Sequence, residues 1–208
     1  GVGGLVFAAD GTLLITGGDG ASYNIEDGGS ISHTYYAQAL TDGIIRTQEN
    51  VGAFRSQMLN SHNGKLLRIS PVTGDGIASN PFYDASAPRS AKSRVWALGF
   101  RNPFRVSVKP GTGSTNPLTG DIGEVFVGDV GWNLWEELNI VKAPGTNFGW
   151  PLYEGHTAQT GYTAFETQNG DEPNTFGTCS GRANYRFKDL LRQDNSAGDK
   201  SVYNPCNS

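Results

Sequence analysis

Short apolar runs alternate with glycine- and asparagine-rich loops along the whole chain. Near its start, Val6 and Phe7 belong to one run, and residues 13–15 (LLI) form the next. Asp10-Gly11 lies between them, and this dipeptide is typical of tight hairpin turns. The pattern therefore predicts a strand, a tight turn and a second strand that ends at Gly17-Gly18-Asp19-Gly20.

The same order of features returns later in the chain. Residues 104–108 (FRVSV) and 124–127 (EVFV) are predicted to be two strands joined by a longer turn. The second of these strands runs into Gly128-Asp129, as the earlier one runs into Asp19. We interpret the two units as an internal repeat in which Asp19 and Asp129 occupy matching places.

Further strands are predicted at residues 64–70 (GKLLRIS), 94–100 (RVWALGF) and 138–141 (LNIV). No segment has sustained helical periodicity, and the best helical candidates are residues 36–45 and 187–193. Short strands joined by long loops favour an all-β fold, specifically a β-propeller of four-stranded antiparallel blades.

The predicted strands are enough for about two blades, whereas propeller rings typically close with about four to eight. The sequence therefore predicts that only part of a ring is present. We expect residues 1–155 to form a partial propeller of about two blades plus loops. We expect residues 156–208 to form a polar, loop-rich continuation of the same domain.

Composition supports the all-β prediction and excludes some partners. The 208 residues include 29 glycines and 11% aromatic residues, with only 17% charged residues, which suits a turn-rich β protein. The net charge is -4 and the basic residues are scattered, so we expect no nucleic-acid partner. No apolar stretch approaches the roughly 20 residues of a membrane span. No signal peptide is recognisable, so we expect a mature chain or a portion of a longer one.

Cys179 and Cys206 both lie in loop-like sequence near the end of the chain. One interpretation is a disulfide that closes a loop, which implies an oxidising compartment. The other interpretation is two unrelated thiols. The first favours an extracellular or periplasmic protein.

Three segments together resemble the glucose/sorbosone dehydrogenase family of quinone-dependent sugar dehydrogenases. They are residues 3–20 (GGLVFAADGTLLITGGDG), 93–108 (SRVWALGFRNPFRVSV) and 128–155, which begins GDVGWNLWEELNIV and contains NFGWP. The resemblance implies a six-bladed propeller that holds pyrroloquinoline quinone (PQQ) and calcium at one end of its central channel. It also implies oxidation of an aldose sugar to its lactone, with the sugar hydride passing to the quinone and a histidine taking the hydroxyl proton.

The resemblance implies roles for three polar residues. Asp19 would hydrogen-bond the catalytic histidine and hold it in the required tautomer. Arg101 and Asn102 would lie against the quinone, where a guanidinium and an amide can donate to its oxygens. The family histidine corresponds to the position immediately before Gly1, which none of the three histidines of this chain matches.

The resemblance also implies metal ligands. The backbone carbonyls of Gly131 and Trp132 would bind the calcium that touches the cofactor, since calcium takes carbonyl oxygens readily. Glu137 and the carbonyl of Phe148 would form a second, structural calcium site. Glu136 matches an acidic position near the substrate cleft. An exposed turn with solvated carboxylates is the alternative for Glu136 and Glu137.

A second class of function stays open, because a fold does not determine a function. The chain could belong to a non-catalytic ligand-binding propeller domain of a larger secreted protein, or to a structural element of an extracellular assembly. For the enzyme, the expected partners are a small sugar and the remaining propeller blades of the parent chain. The electron acceptor is unknown.

Overall fold

The computed structural model describes residues 1–174 and 181–190, and its first sheet has four antiparallel strands. Phe7 opposite Leu13 closes the first hairpin, whose turn places Gly11 at a φ of 77°. Only glycine adopts that conformation without strain. The predicted strand, tight turn and strand are therefore confirmed. In spatial order the strands are β1 (Val2–Phe7), β2 (Leu13–Gly17), β3 (Lys65–Ile69) and β4 (Val95–Leu98).

The second sheet has three antiparallel strands in spatial order β5 (Pro103–Val108), β6 (Val125–Asp129) and β7 (Glu137–Val141). Like the first sheet, it begins with two consecutive strands paired side by side. Asp129 is the last residue of β6, and Asp19 follows β2 closely. All the strands predicted between residues 6 and 141 are thus present, and small antiparallel sheets dominate the fold.

The remaining regular elements are short. Helices form at the two predicted places, although residues 191–193 lie outside the described residues, as do Cys179 and Cys206. Among the described residues no helix is both long and apolar enough to cross a membrane. The helices are α1 (Tyr36–Thr41), α2 (Ala91–Arg94), α3 (Thr160–Ala164) and α4 (Phe187–Leu190), and the short strands are β8 (Tyr153–Glu154), β9 (Thr157–Ala158), β10 (Gln168–Pro173) and β11 (Asn184–Arg186).

The first strands of the two sheets lie against each other along a seam that contains two glycines. A Cβ atom at Gly3 would lie 2.0 Å from the carbonyl oxygen of Pro103, and one at Gly4 would lie 2.9 Å from a methyl group of Val106. Contacts that close are possible only without a side chain. Glycine at these two positions therefore lets β1 and β5 approach.

Between the two sheets lies the main hydrophobic core. Full burial of one large apolar side chain contributes about 1.5–3 kcal/mol, so this core contributes substantially to stability. Its buried members are Ala8, Leu14, Leu66, Trp96, Ala97, Phe100, Ile122, Val125, Val127 and Val141.

A second hydrophobic cluster is built from loops and short helices rather than from the main strands. The rings of Phe54 and Phe187 stack with their centroids 5.0 Å apart, and Tyr162 packs edge-on against both Phe54 and Trp150. This cluster holds the loops that carry the candidate site. Its buried members are Val51, Ala53, Phe54, Met58, Trp150, Leu152, Tyr162 and Phe187.

Strand β3 carries two fully buried cations, one near each of its ends. Arg68 donates to the carboxylate of Asp10 at 2.7 Å, and its guanidinium lies 5.0 Å from the centre of the Trp96 ring. Both partners of this ion pair are completely buried. Lys65, at the start of the strand, has only backbone carbonyls as hydrogen-bond partners among the residues that the structure describes.

Candidate functional site

Asp19 lies in the glycine-rich turn that follows β2, and it is partly buried. Oδ1 accepts a hydrogen bond from the backbone N–H of Ala21 at 3.0 Å, and Oδ2 accepts one from the indole Nε1–H of Trp150 at 2.8 Å. Burial raises the pKa of Asp19, although these two donors and the nearby charges of Arg101 and Arg55 favour the ionised form. Among the described residues no histidine donates to this carboxylate.

Arg101 and Asn102 form the link between β4 and β5, and Asp129 fixes their backbone. The two oxygens of Asp129 accept hydrogen bonds from the N–H of Arg101 at 3.0 Å and of Asn102 at 2.7 Å. The carbonyl of Arg101 accepts from the N–H of Asp19 at 2.8 Å, and that of Asn102 from the N–H of Val130 at 3.0 Å. The Arg-Asn link is thereby joined to both the Asp19 turn and the loop after β6.

The guanidinium of Arg101 reaches the loop after β6. Its Nη1 donates to the carbonyls of Val130 at 2.9 Å and Gly131 at 2.7 Å, and its carbon lies 5.7 Å from the centre of the Trp150 ring. Within the described part of the chain, its Nε and Nη2 and the side-chain amide of Asn102 make no hydrogen bond. The structure therefore brings Arg101, Asn102, Gly131 and Asp19 together at one rim, with unused donors on two half-buried side chains.

Carboxylates hold the loop that contains Gly131 and Trp132. Glu136 accepts from the N–H of Gly131 at 3.1 Å, and Glu154 accepts from the N–H groups of Trp132 and Leu134. The loop is so tight that a Cβ atom on Gly131 would lie 1.7 Å from the carbonyl oxygen of Trp135. Glycine is therefore required at this position for packing within the loop itself.

Trp132 turns its indole toward an aromatic cluster. Nε1–H donates to the carbonyl of Tyr23 at 3.0 Å, and the ring lies edge-on to Trp150 and Tyr162. The side chain thus forms part of the wall beside Asp19 and Arg101.

The two residues expected at a second calcium site make other contacts in the structure. Glu137 accepts from the backbone N–H of Gly155 and from the amide of Asn139, and burial raises its pKa with a further contribution from the charge of Glu154. Phe148 packs its ring 4.8 Å from that of Phe100. Across the described residues, no hydrogen bond or ring contact joins Glu137 to Phe148.

One of the two carbonyls expected to bind calcium is engaged by a cationic side chain in this arrangement. Carbonyl oxygens are ligands that calcium prefers, and the Trp132 carbonyl accepts no hydrogen bond from the described residues. The Gly131 carbonyl, however, already accepts from the guanidinium of Arg101, and a second cation beside it would be repelled. No group of three or more His, Cys, Asp or Glu side chains is arranged for a metal ion in the described ranges. Both calcium assignments therefore stay predictions.

Sequence reasoning missed two of the contacts that build this rim. The repeat matched Asp129 to Asp19, but the sequence did not predict that Asp129 accepts hydrogen bonds from the backbone N–H groups of both Arg101 and Asn102. The structure also shows that the indole of Trp150 donates to Asp19, a contact that the sequence did not predict. The position of Trp150 in the NFGWP segment could have marked it as a candidate site residue, but nothing in the sequence indicates that Asp19 is its partner.

The three histidines of the chain lie elsewhere, His33 in the 3-10 helix Ser32–Thr34 and the other two in loops. Nε2 of His33 lies 2.7 Å from the hydroxyl of Ser22, and the ring of His156 packs on Trp135 with centroids 5.3 Å apart. His62 lies beside Arg94, and burial lowers its pKa.

Two facing antiparallel sheets, with a polar rim that joins Asp19 to the Arg101-Asn102 pair, define an all-β protein. The chain belongs to the Glucose / Sorbosone dehydrogenase family, whose model matches residues 2–179.

Two plant proteins and two solved bacterial structures are similar to parts of the chain. The HIPL2 protein of Arabidopsis thaliana is 28% identical over 158 residues, which is 71% of this chain and 19% of that protein. The HIPL1 protein of the same plant is 33% identical over 76 residues, or 36% and 9% of the two chains.

The PQQ-bound aldose sugar dehydrogenase of Streptomyces coelicolor is 24% identical with a TM-score of 0.47, covering 77% of this chain and 34% of that one. A putative oxidoreductase (glucose dehydrogenase) of Thermus thermophilus is 26% identical with a TM-score of 0.45, covering 74% and 34%. The chain thus spans about a fifth of the length of HIPL2 and about a third of these two solved chains.

Proposed function

We propose that this chain carries part of the cofactor- and sugar-binding rim of a PQQ-dependent aldose dehydrogenase that forms the lactone. Membership of the family supports the class of activity. The observation that carries the proposal is the orientation of Arg101, whose Nη1 is fixed on two carbonyls while its other donors stay available near Asp19. When bound, PQQ supplies the electron sink for the sugar hydride.

The residues at the rim fit an anionic, planar quinone. The guanidinium of Arg101 can donate through Nε and Nη2 to a quinone oxygen and stabilise negative charge that develops there. The amide of Asn102 offers a further donor at the same edge. Trp132 and Trp150 add aromatic surface, and their rings lie 6.3 Å apart. Arg101 and Asn102 would therefore hold and orient the cofactor.

Asp19 is suited to assist a general base. A buried carboxylate can fix the tautomer of an imidazole and stabilise its cation. The carbonyl of Gly1 accepts a hydrogen bond from the N–H of Gly18 at 2.9 Å, so a residue that immediately precedes Gly1 would lie beside the Asp19 turn. In the family that position is the one that the base histidine occupies. A histidine there would take the hydroxyl proton of the sugar.

Further propeller blades are part of the proposal, because the outer faces of both sheets are apolar and open. Leu5 and Phe7 of β1 are each 61% exposed, and Leu138 of β7 is 69% exposed. Contiguous exposed apolar surface on a sheet face normally marks a contact with another element. We propose that neighbouring blades of the parent protein cover these faces. An extracellular or periplasmic location belongs to the same proposal.

The experiment is a PQQ titration of the parent protein, followed by turnover with a panel of aldoses and a dye acceptor. R101M should weaken PQQ binding by about tenfold or more, since a charge-assisted hydrogen bond is lost. Arg105 lies on β5 with its guanidinium 4.4 Å from the Phe104 ring, so R105M is the matched control and should bind PQQ normally.

Three outcomes separate the candidate functions. Binding with turnover supports the dehydrogenase. Binding of PQQ without oxidation of any aldose supports the non-catalytic ligand-binding domain. A parent protein that does not bind PQQ, or that binds equally well after R101M, overturns the proposal. Repeating the titration with a calcium chelator tests the metal, and a calcium requirement would show that Arg101 leaves the Gly131 carbonyl.

A further inference from the structure

Lys65 is a fully buried lysine whose ammonium group, within the described part of the chain, binds only backbone carbonyls. Its Nζ donates to the carbonyls of Arg55 at 2.9 Å, Ser56 at 2.8 Å and Asn63 at 2.6 Å. An ammonium group has three N–H donors, so each donor has a partner. The side chain thus joins the short 3-10 helix Gly52–Gln57 to the loop that contains Asn63.

Each of the two segments that Lys65 binds also contacts the Asp19 turn through a side chain. The guanidinium of Arg55 donates through Nε to the carbonyl of Asp19 at 3.1 Å and through Nη2 to that of Gly20 at 2.7 Å. The amide of Asn63 donates to the carbonyls of Gly18 at 3.3 Å and Asp19 at 3.1 Å. The carbonyls at 18–20 are therefore all held by side chains whose own backbone is bound to Lys65.

The turn depends on such contacts because its sequence is conformationally permissive. Gly17, Gly18 and Gly20 surround Asp19, and Gly20 has a φ of 68°. Glycines leave the backbone free to rotate, so outside contacts must determine where the carboxylate points. Among the described residues, the Asp19 carboxylate itself accepts hydrogen bonds only from the Ala21 N–H and the Trp150 indole.

We propose that Lys65 is a positioning residue, which fixes the Arg55 and Asn63 segments and thereby sets the position of the Asp19 carboxylate against Trp150. The catalytic meaning of this position rests on the proposed function, whereas the positioning itself is a property of the fold. This role explains why a lysine occupies a fully buried position of β3.

The indole N–H of Trp150 reports the position of Asp19 directly, and it can be followed by NMR hydrogen exchange without cofactor. K65M preserves the unbranched shape of the side chain but removes all three donors. We expect the Trp150 indole to exchange about tenfold faster or more in K65M, as local protection is lost. The indole of Trp135, which donates to the Thr157 hydroxyl at 3.1 Å, is the internal reference and should be unchanged relative to the original chain.

R68M is the matched control, because Arg68 is the other fully buried cation of β3 but bonds to Asp10 and the Pro117 carbonyl instead. It should destabilise the fold without changing the ratio of the Trp150 and Trp135 exchange rates. If K65M does not fold, N63A is the substitute, because it removes the contacts of the Asn63 amide with the turn and leaves those of Arg55. It should raise the ratio of the Trp150 to the Trp135 exchange rate by a smaller factor.

A selective rise of the Trp150 rate in K65M supports the positioning role. An unchanged ratio, or the same change in R68M, overturns it and leaves Lys65 as a core cation only. A selective rise in a protein whose parent does not bind PQQ overturns the proposed function but not the positioning role. In an active parent, K65M should lower kcat with little change in the PQQ affinity.

Discussion

Raising the pH from about 4 to about 7 should destabilise the fold through Asp129, whose carboxyl is 2% exposed. Burial raises the pKa of Asp129 to about 7, and the charges of Glu137 and Asp19 act in the same direction. The N–H groups of Arg101 and Asn102 oppose this shift because they favour the carboxylate. A carboxyl with a raised pKa binds its proton more tightly in the folded state than in the unfolded chain.

The sign and the size of the effect follow from linkage. Between the unfolded pKa, near 3.9, and the folded pKa of about 7, the folded state holds one proton more, so the free energy of unfolding falls as pH rises. The slope is at most about 1.4 kcal/mol per pH unit, and the sum over the window is on the order of 4 kcal/mol. The contribution is complete below pH about 4 and is lost as pH passes through about 7.

The assay compares urea unfolding of the original chain and of D129N at several pH values. D129N has the same shape and cannot ionise, so the stability of the original chain relative to D129N should fall across the window. The absolute stability of D129N should be lower at acid pH by about 1–3 kcal/mol, because its amide faces a backbone donor. A difference that is constant with pH, or one that rises, would refute the reasoning and show that the two N–H donors dominate.

Two further substitutions test other parts of the structure. R68M should cost about 3–5 kcal/mol in urea unfolding because it leaves Asp10 buried without its counter-ion, whereas R89M, at an exposed ion pair, should cost less than about 1 kcal/mol. Gly131→Ala should cost about 1–3 kcal/mol and broaden the NMR signals of its loop, since the new methyl group would lie 1.7 Å from the Trp135 carbonyl; a fully stable variant would contradict the loop geometry.

Much of the fold could be predicted because its determinants are local. Alternation of apolar runs with Asp-Gly and Gly-rich turns located β1 and β2, and the repeat located β5 and β6. The two-residue strands β8 and β9 carry too little pattern to be recognised. The helix at residues 36–45 was detected although its periodicity is weak, and the structure ends it at Thr41.

The site was harder to predict because its contacts join distant parts of the chain. The Asp19–Trp150 bond spans 131 residues, and only the fold brings the two side chains together. Lys65 lies in a run that reads as an ordinary strand. Its burial among carbonyls depends on how the 3-10 helix Gly52–Gln57 and the loop that follows it pack over the strand. The Arg101-Asn102 pair was found through the motif that contains it, whereas its anchoring by Asp129 is a property of three-dimensional structure.

The glycine seam between the sheets has a consequence for the rim. The hydrogen bond from the N–H of Asp19 to the carbonyl of Arg101 joins the two sheets at the end of that seam. The length of this hydrogen bond therefore depends on how closely β1 approaches β5. A side chain at Gly3 would force the strands apart and stretch this bridge, although it would touch neither residue. The distance between the Asp19 carboxylate and the Arg101 guanidinium therefore depends on Gly3, which contacts neither group and acts only by having no side chain.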